Sequence, residues 1–267
     1  MKIPIALAVL ALASAAPALA QPQSLNTTTT TNADRLELSV GYWRPSAVIH
    51  AAGESGGVQG TPIDFQSDFG LEDRGFPQLH FAARLSRRNE LSLGYVPIRY
   101  DATAVLGRDI LFANARYPAG VQTQGTVSWN AIRFAYTYHV VVRPTFSFGV
   151  VGEIDRTNVQ VRLKNATSSS STSSSVPTIP GIGAAAKLRV ARRVTVSAEA
   201  SGLYVPDKKD QIYGGHFFTA ESHATWALTP HVGASLGYQM IDIRHLGEAD
   251  SGTFRLHGLT LSAVVTR

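Results

Sequence analysis

The chain has no cysteine. That excludes disulfide staples, thiolate metal sites and thiol nucleophiles. Charge is scarce too. Asp, Glu, Lys and Arg make up 16% of the 267 residues, against about 25% in an average soluble domain. Yet no internal apolar run nears the roughly 20 residues that a membrane-spanning helix needs. A chain poor in charge and without a spanning helix is either a compact β-protein or a membrane barrel. The net charge of +5 is modest. Its basic residues are scattered or sit at turns, and no basic patch interleaved with aromatics marks a nucleic-acid surface. Repeats of solenoid length are absent as well.

What is present is alternation, clearest between Asn130 and Asp155. Ile132, Phe134, Tyr136 and Tyr138 share one parity, and Arg133, Ala135, Thr137 and His139 the other. After a short turn around Arg143-Pro144, Phe146, Phe148, Val150 and Ile154 oppose Ser147, Gly149, Glu153 and Asp155. Successive strand side chains point to opposite faces, so each half is a strand with one apolar and one polar face. A soluble sandwich buries the apolar face. A membrane barrel turns it to lipid and the polar face to the lumen.

The same pattern recurs along the chain. Lys2, the apolar run Ile3 to Leu12 and Ala18-Leu19-Ala20 have the form of an export signal over 1–20, with cleavage before Gln21. Residues 21–33, including Thr27 to Thr31, read as a flexible polar leader. From there, 34–267 reads as one barrel domain of about ten strands, with eight to twelve as the range. Tight turns at 87–89, 140–144, 191–193 and 229–230 alternate with long connections at about 45–75, 103–125, 164–177, 206–214 and 246–252. Short turns at one end and long loops at the other are the barrel pattern, and an even strand number leaves both termini on the short-turn side. At Pro97 the apolar parity slips, from Leu91, Leu93 and Tyr95 to Ile98 and Tyr100, which predicts a bulge. The Ser/Thr run from Lys164 to Ser175 predicts a solvated loop tip.

The polar parity carries Glu37, Glu90, Glu153, Glu199 and Glu221 against Arg84, Arg133, Lys187 and Arg189, joined by His80 and His223. Isolated buried charge is costly, so these groups should pair across a narrow lumen. Arg133 should meet one or more of Glu37, Glu153, Glu199 and Glu221. Tyr42, Tyr95, Tyr100, Tyr136, Tyr138, Trp226 and Tyr238 lie near apolar-strand ends, where interfacial girdles sit.

On these features the chain resembles the small bacterial outer-membrane β-barrels of the outer-membrane protein A and W type. The resemblance is architectural and covers roughly 34–267. It implies an all-β fold, an up-and-down antiparallel transmembrane β-barrel. It also implies a bacterial outer-membrane location, contact with lipid and lipopolysaccharide, insertion by the barrel assembly machinery, and a monomeric state. The chain departs from these relatives at Val264-Val265-Thr266-Arg267, where they commonly end in an aromatic residue. No cofactor and no metal site is expected. Asp68, Glu72 and Asp73 lack the spacing of a calcium loop, and His50, His231, His245 and His257 lack metal-ligand spacing. Some barrels of this size are lipid A deacylases, palmitoyl transferases or proteases. Glu221, Ser222 and His223, with His216 nearby, are the one grouping that could serve such chemistry. The expected role is therefore a non-enzymatic barrel, structural or a narrow pore. A lipid A-modifying hydrolase or acyltransferase and a loop-mediated adhesin or receptor are the alternatives.

Overall fold

The computed structural model describes residues 36–55, 58–205, 214–246 and 251–267. The export signal, the polar leader and the 207–210 loop lie outside the described residues. Ten long strands close into one antiparallel barrel: β1 (Leu36–Ala52), β5 (Phe76–Arg84), β6 (Asn89–Val105), β9 (Gln122–Val142), β10 (Phe146–Lys164), β11 (Ser169–Ala191), β12 (Val194–Val205), β13 (Gly214–Ala227), β14 (Val232–Leu246) and β15 (Ser251–Thr266). Each pairs with its neighbour in the up-and-down order. Closure comes from β15 against β1, in register from Glu37 opposite Thr266 to Ala52 opposite Ser251. The short strands β2 (Glu54–Ser55), β3 (Val58–Gln59) and β4 (Ile63–Asp64), the helix α1 (Phe65–Phe69), and the hairpin of β7 (Ile110–Phe112) and β8 (Ala115–Tyr117) decorate the long-loop end. Tight connections at 85–88, 143–145, 192–193 and 228–231 gather at the other end, beside Leu36 and Arg267, whose backbones pair.

The strands keep one geometric phase but reverse their chemistry partway up. On β9 the outward residues below the switch are Ile132, Phe134, Tyr136, Tyr138, Val140 and Val142. Above it they are Gln122, Gln124, Thr126, Ser128 and Asn130. The inward parity does the opposite, with Arg133, Thr137 and His139 below and Val127 and Trp129 above. β1 switches after Tyr42, β6 at Pro97, β10 between Ile154 and Arg156, and β15 between Leu259 and His257. The stretch Ile132–Val142 covers roughly 33 Å of strand at about 3.3 Å per residue. At a tilt near 40° that becomes about 25 Å, the height of a membrane barrel's apolar band. Above this belt the barrel continues as an ordinary protein, wet outside and dry inside.

This reversal corrects three expectations. The register of β6 with β9 runs unbroken from Asn89 opposite Tyr138 to Val105 opposite Gln122. Pro97 therefore marks no bulge. It stands where the outward surface passes from apolar to polar. Tyr100 is not a girdle residue but faces inward, 1% exposed, whereas Tyr42, Tyr95, Tyr136, Tyr138, Trp226 and Tyr238 do face out. And the Ser/Thr run is strand rather than loop, paired from Lys164 opposite Ser169 to Thr157 opposite Val176. Ladder hydrogen bonds are backbone bonds and need no apolar side chain, so composition alone misplaces such a segment. The connection is only 165–168, where the Asn165 carboxamide accepts from the Ser168 amide at 2.6 Å. β1 and β6 likewise run farther into the long connections than their apolar alternation suggests.

The upper storey is filled. Trp43 on β1, Trp129 on β9 and Tyr100 on β6 are buried together with Phe65, Phe112 and Tyr117 from the decorating elements. Asp64 caps α1 by accepting from the Gln66 amide at 2.9 Å, and Gly70 closes it in the left-handed region. The capped turn stacks Phe65 on Phe69, ring centroids 5.4 Å apart. The β7–β8 hairpin turns on Ala113 and Asn114, both at positive φ. It is pinned by the Tyr117 hydroxyl, which donates to the Leu163 carbonyl at 2.8 Å.

Candidate functional site

The lower lumen is polar and its charges meet across strands far apart in sequence. Arg133 projects inward from β9. Its Nε donates to Glu153 Oε2 on β10 at 2.5 Å, and its Nη2 reaches both a Glu199 oxygen and Ser201 Oγ, the latter at 3.3 Å. One planar fork thus serves two carboxylates, a task suited to arginine. Ser201 in turn hydrogen-bonds Thr219 at 2.8 Å. Glu199 and Glu221 stand directly opposite each other on β12 and β13. Like charges so placed repel. The repulsion is offset by Arg133 on one side and by His223, whose Nε2 lies 3.6 Å from Glu221, on the other. Gly237 leaves room for the His223 ring, and Gly181 for Glu153, whose Oε1 would lie 2.6 Å from a Cβ placed there.

A second group sits nearer the tight-turn end. Arg84 donates to Glu90 from Nε at 3.3 Å and from Nη2 at 3.0 Å, and His139 Nε2 is 3.4 Å from the same carboxylate. Lys187 approaches Glu37 at 3.8 Å. Of the charged residues picked from the polar parity, Arg133 is brought to Glu153 and Glu199, but not to Glu37. Arg189 is exposed and forms no ion pair among the described residues. Asp155, placed on the polar face by the alternation but not counted among the pairing charges, is 3% exposed and opposite Arg133 in register. Arg133 turns to Glu153 and Glu199 instead, so Asp155 Oδ2 is buried without a hydrogen bond, as is Glu153 Oε1. His139 and Ser201 likewise lie on the polar parity that the alternation assigns them, and the structure adds them to the networks of Glu90 and Arg133.

The residues considered for hydrolysis assemble only in part, with His223 Nε2 3.6 Å from Glu221 but Ser222 and His216 elsewhere. Glu221 and His223 face the lumen, while Ser222 lies on the opposite, exposed parity. His216 also points outward and contacts Asp242 at 3.2 Å. Among the described residues no cluster of His, Asp and Glu could hold a metal ion.

At the rim, the Asp68, Glu72 and Asp73 group divides. Burial alone would raise the Asp68 carboxyl, but Arg108 and the Asp64 amide hold it below its ordinary value. Arg108 bonds it from Nε at 3.1 Å and Nη2 at 2.7 Å. Glu72 and Asp73 line a half-open cleft of about 360 Å³ with Phe69, Arg74, Tyr100 and Asp101. The hydrogen bond from Arg99 holds Asp101 low.

No protein-family model matches the chain, and no curated protein is similar to it. Solved structures are. The outer-membrane protease OmpT of Escherichia coli superposes with a TM-score of 0.57 at 10% identity, over 89% of this chain and 98% of that one. Ail, the attachment invasion locus protein of Yersinia pestis, aligned in its complex with a heparin analogue, gives 0.37 at 8% identity over 86% and 97%. Neisserial surface protein A gives 0.37 at 12% identity over 87% and 97%. At such identity the likeness to the protease is one of fold. The chain has the outer-membrane β-barrel fold, and its structural neighbours are small proteins of that kind.

Proposed function

We propose that this protein resides in the bacterial outer membrane as a sealed, non-enzymatic barrel, a structural scaffold rather than a diffusion pore. The observation that carries the reading is the filled upper storey. About eight strands leave an interior that side chains just fill, whereas an aqueous channel belongs to barrels of sixteen or more. Here Trp43, Tyr100 and Trp129 close the lumen from the wall, and Phe65 and Phe112 close it from the rim elements. Below them, the Arg133 network bridges the polar lumen between β9, β10 and β12. The apolar belt and the signal-like pattern of residues 1–20 support the location. Lipid and lipopolysaccharide around the belt, insertion by the barrel assembly machinery and a monomeric state belong to the same proposal.

The separation of Ser222 from Glu221 and His223 argues against the lipid A hydrolase. The test is conductance in planar bilayers, run beside membrane fractionation and heat-modifiable gel mobility. A sealed barrel gives no stable steps while fractionating with the outer membrane, and leaves the mass spectrum of lipid A unchanged. Large, long-lived channels would overturn the seal. Recovery as a soluble periplasmic protein would overturn the location.

A further inference from the structure

Strand β5 stops short of its neighbours. It pairs with β1 only up to Phe76 opposite Trp43, and with β6 only up to Leu79 opposite Tyr95. β1 and β6 run on to Ala52 and Val105. The wall therefore carries a notch above the belt, one strand wide. The sequence builds it in. Carried upward, the β5–β6 register would set Pro77 opposite Pro97 and Asp73 opposite Asp101. Two prolines leave that rung without an N–H, and two carboxylates placed opposite each other repel. Helix α1 and residues 70–75 fill the β1 side of the notch instead. Gln66 Nε2 donates to the Ala47 carbonyl at 2.6 Å, and Ser46 Oγ to Asp73 Oδ1 at 3.1 Å.

The β6 side stays bare. The His139 amide donates to the Arg88 carbonyl at 2.8 Å, so these two form a bonded pair between β9 and β6. The register runs unbroken from there, and antiparallel backbone groups alternate between the two neighbouring strands. Even-numbered residues of β6 thus bond to β9, and the amides of Arg99, Asp101 and Thr103 point into the notch. None of the three donates to a protein acceptor among the described residues. The half-open cleft of about 360 Å³ lies along this edge, its walls drawn from residues 69–74 and 100–103. Arg99 meets Asp101 at 2.9 Å, and Arg74 approaches it at 4.0 Å. Glu72 and Asp73 meet no cation among the described residues, and Asp73 has the Ser46 hydroxyl instead. Tyr100 is 1% exposed, and its hydroxyl is buried without a hydrogen-bond partner. Proline and charge commonly protect a free edge from pairing. Pro97 does so at the foot of this one, but Arg99 and Asp101 spend their charges on each other and leave the amides open. β11 is also unpaired on its β12 side above Ile182, but residues 206–213, which follow β12 there, lie outside the described residues.

We propose that the β6 edge from Pro97 to Val105 accepts an extended polypeptide segment of a partner protein as an added strand, with a Lys or Arg side chain of that segment on Glu72 and Asp73. In strand addition the main-chain bonds supply affinity and the side-chain contacts supply specificity. The open amides provide the first and the two carboxylates the second. A basic side chain gives Glu72 and Asp73 the cation they lack, whereas an acidic one would be repelled. The Tyr100 hydroxyl adds an unused acceptor at the same cleft. The inference goes beyond the sealed-barrel reading and does not need an open lumen, since the notch lies in the wall above the belt.

The test titrates the full-length barrel in neutral detergent with labelled peptides of about ten alternating Thr and Val residues, one Lys replacing each position in turn. Fluorescence anisotropy reads binding, and NMR reads amide exchange. At least one lysine peptide should bind saturably, and the same peptide with Glu in place of Lys should bind at least about tenfold more weakly. In the complex, exchange at Arg99, Asp101 and Thr103 should slow at least about tenfold, while Ala102 and Ala104, already bonded to β9, should not change. Thr103→Pro removes one notch amide without touching the β9 ladder and should weaken binding by about fivefold. Glu72→Gln/Asp73→Asn should cost the lysine peptide at least about fivefold, and Asp109→Asn, at the rim outside the notch, should stay within about twofold of wild type. Should Thr103→Pro misfold by gel mobility, the carboxylate variant and the alternating exchange pattern decide. No binding by any lysine peptide at millimolar concentration, equal binding of the lysine and glutamate peptides, or binding that leaves the three amides unslowed would each overturn the added strand. Those results leave the sealed barrel and its location standing, while stable conductance steps would overturn the seal and not this site.

Discussion

Replacing Arg133 by methionine keeps most of the side chain's volume and removes its charge. Glu153, whose side chain is fully buried, then loses the guanidinium that donates to it, and Glu199 faces Glu221 with no guanidinium beside it. Breaking a buried pair from one side costs about 3–5 kcal/mol, because the surviving charge stays out of water. For a domain of this size each kcal/mol moves the melting temperature by about 2–4 °C, so Arg133→Met should melt roughly 6–20 °C below wild type. The assay is heat-modifiable gel mobility, with tryptophan emission as a second probe. Arg88→Ala is the control. Arg88 sits in an exposed tight turn and its guanidinium donates to the Tyr138 hydroxyl at 3.3 Å, so the loss of that side chain should move the midpoint little. Adding Glu153→Gln and Glu199→Gln to Arg133→Met should recover much of the deficit, since no stranded charge then remains at those positions. If Arg133→Met melts with the wild type, the guanidinium is solvated and the paired lumen is wrong.

Three further outcomes are expected. Trp129→Ala should destabilise by about 3–5 kcal/mol, the range for a buried large aromatic, in urea unfolding from detergent. Unfolding at the wild-type midpoint would mean the upper storey is not packed. Asp68 is held below its ordinary value, so its bond to Arg108 contributes stability above the unfolded pKa and loses it as pH falls through the folded one. Hydrogen exchange in residues 61–70, corrected for intrinsic rate, should therefore accelerate below about pH 4, and Asp68→Asn should remove that dependence. Ala113 holds a φ of 47°. Ala113→Gly should raise stability by up to about 1 kcal/mol, and Ala113→Val should lower it, as read from the same unfolding curves.

Much of the barrel could be read from parity alone. The tight turns, the ten-strand architecture and the inward side of nearly every lower-lumen charge follow from a period of two. The upper storey could not be read so directly. On β6 the geometric phase never changes, yet Ile98 and Tyr100 take over the apolar parity because their surroundings do. A pattern reader sees the same signal from a bulge and from a change of solvent. The strand above Lys164 escaped for another reason, since backbone pairing leaves no mark on a run of serines. Partners within the lumen were illegible one by one. Arg133 reaches Glu199 from β9 to β12 only because the wall curves closed, and parity carries no information about curvature. Asp155 shows the converse, a residue opposite Arg133 in register whose carboxylate the arginine passes over.

The chemical switch along unbroken strands also acts as a waterline. If the barrel sank by two residues on every strand, Arg44, Arg156 and His257 would enter hydrocarbon while the tight-turn end pushed farther out on the other side. If it rose by two, Tyr42, Ile132, Ile154 and Leu259 would meet water. Both moves are uphill, and every switching strand adds its own penalty. In the proposed membrane setting the barrel therefore floats at one depth and one tilt, and the rim elements are carried at a fixed height above the switch.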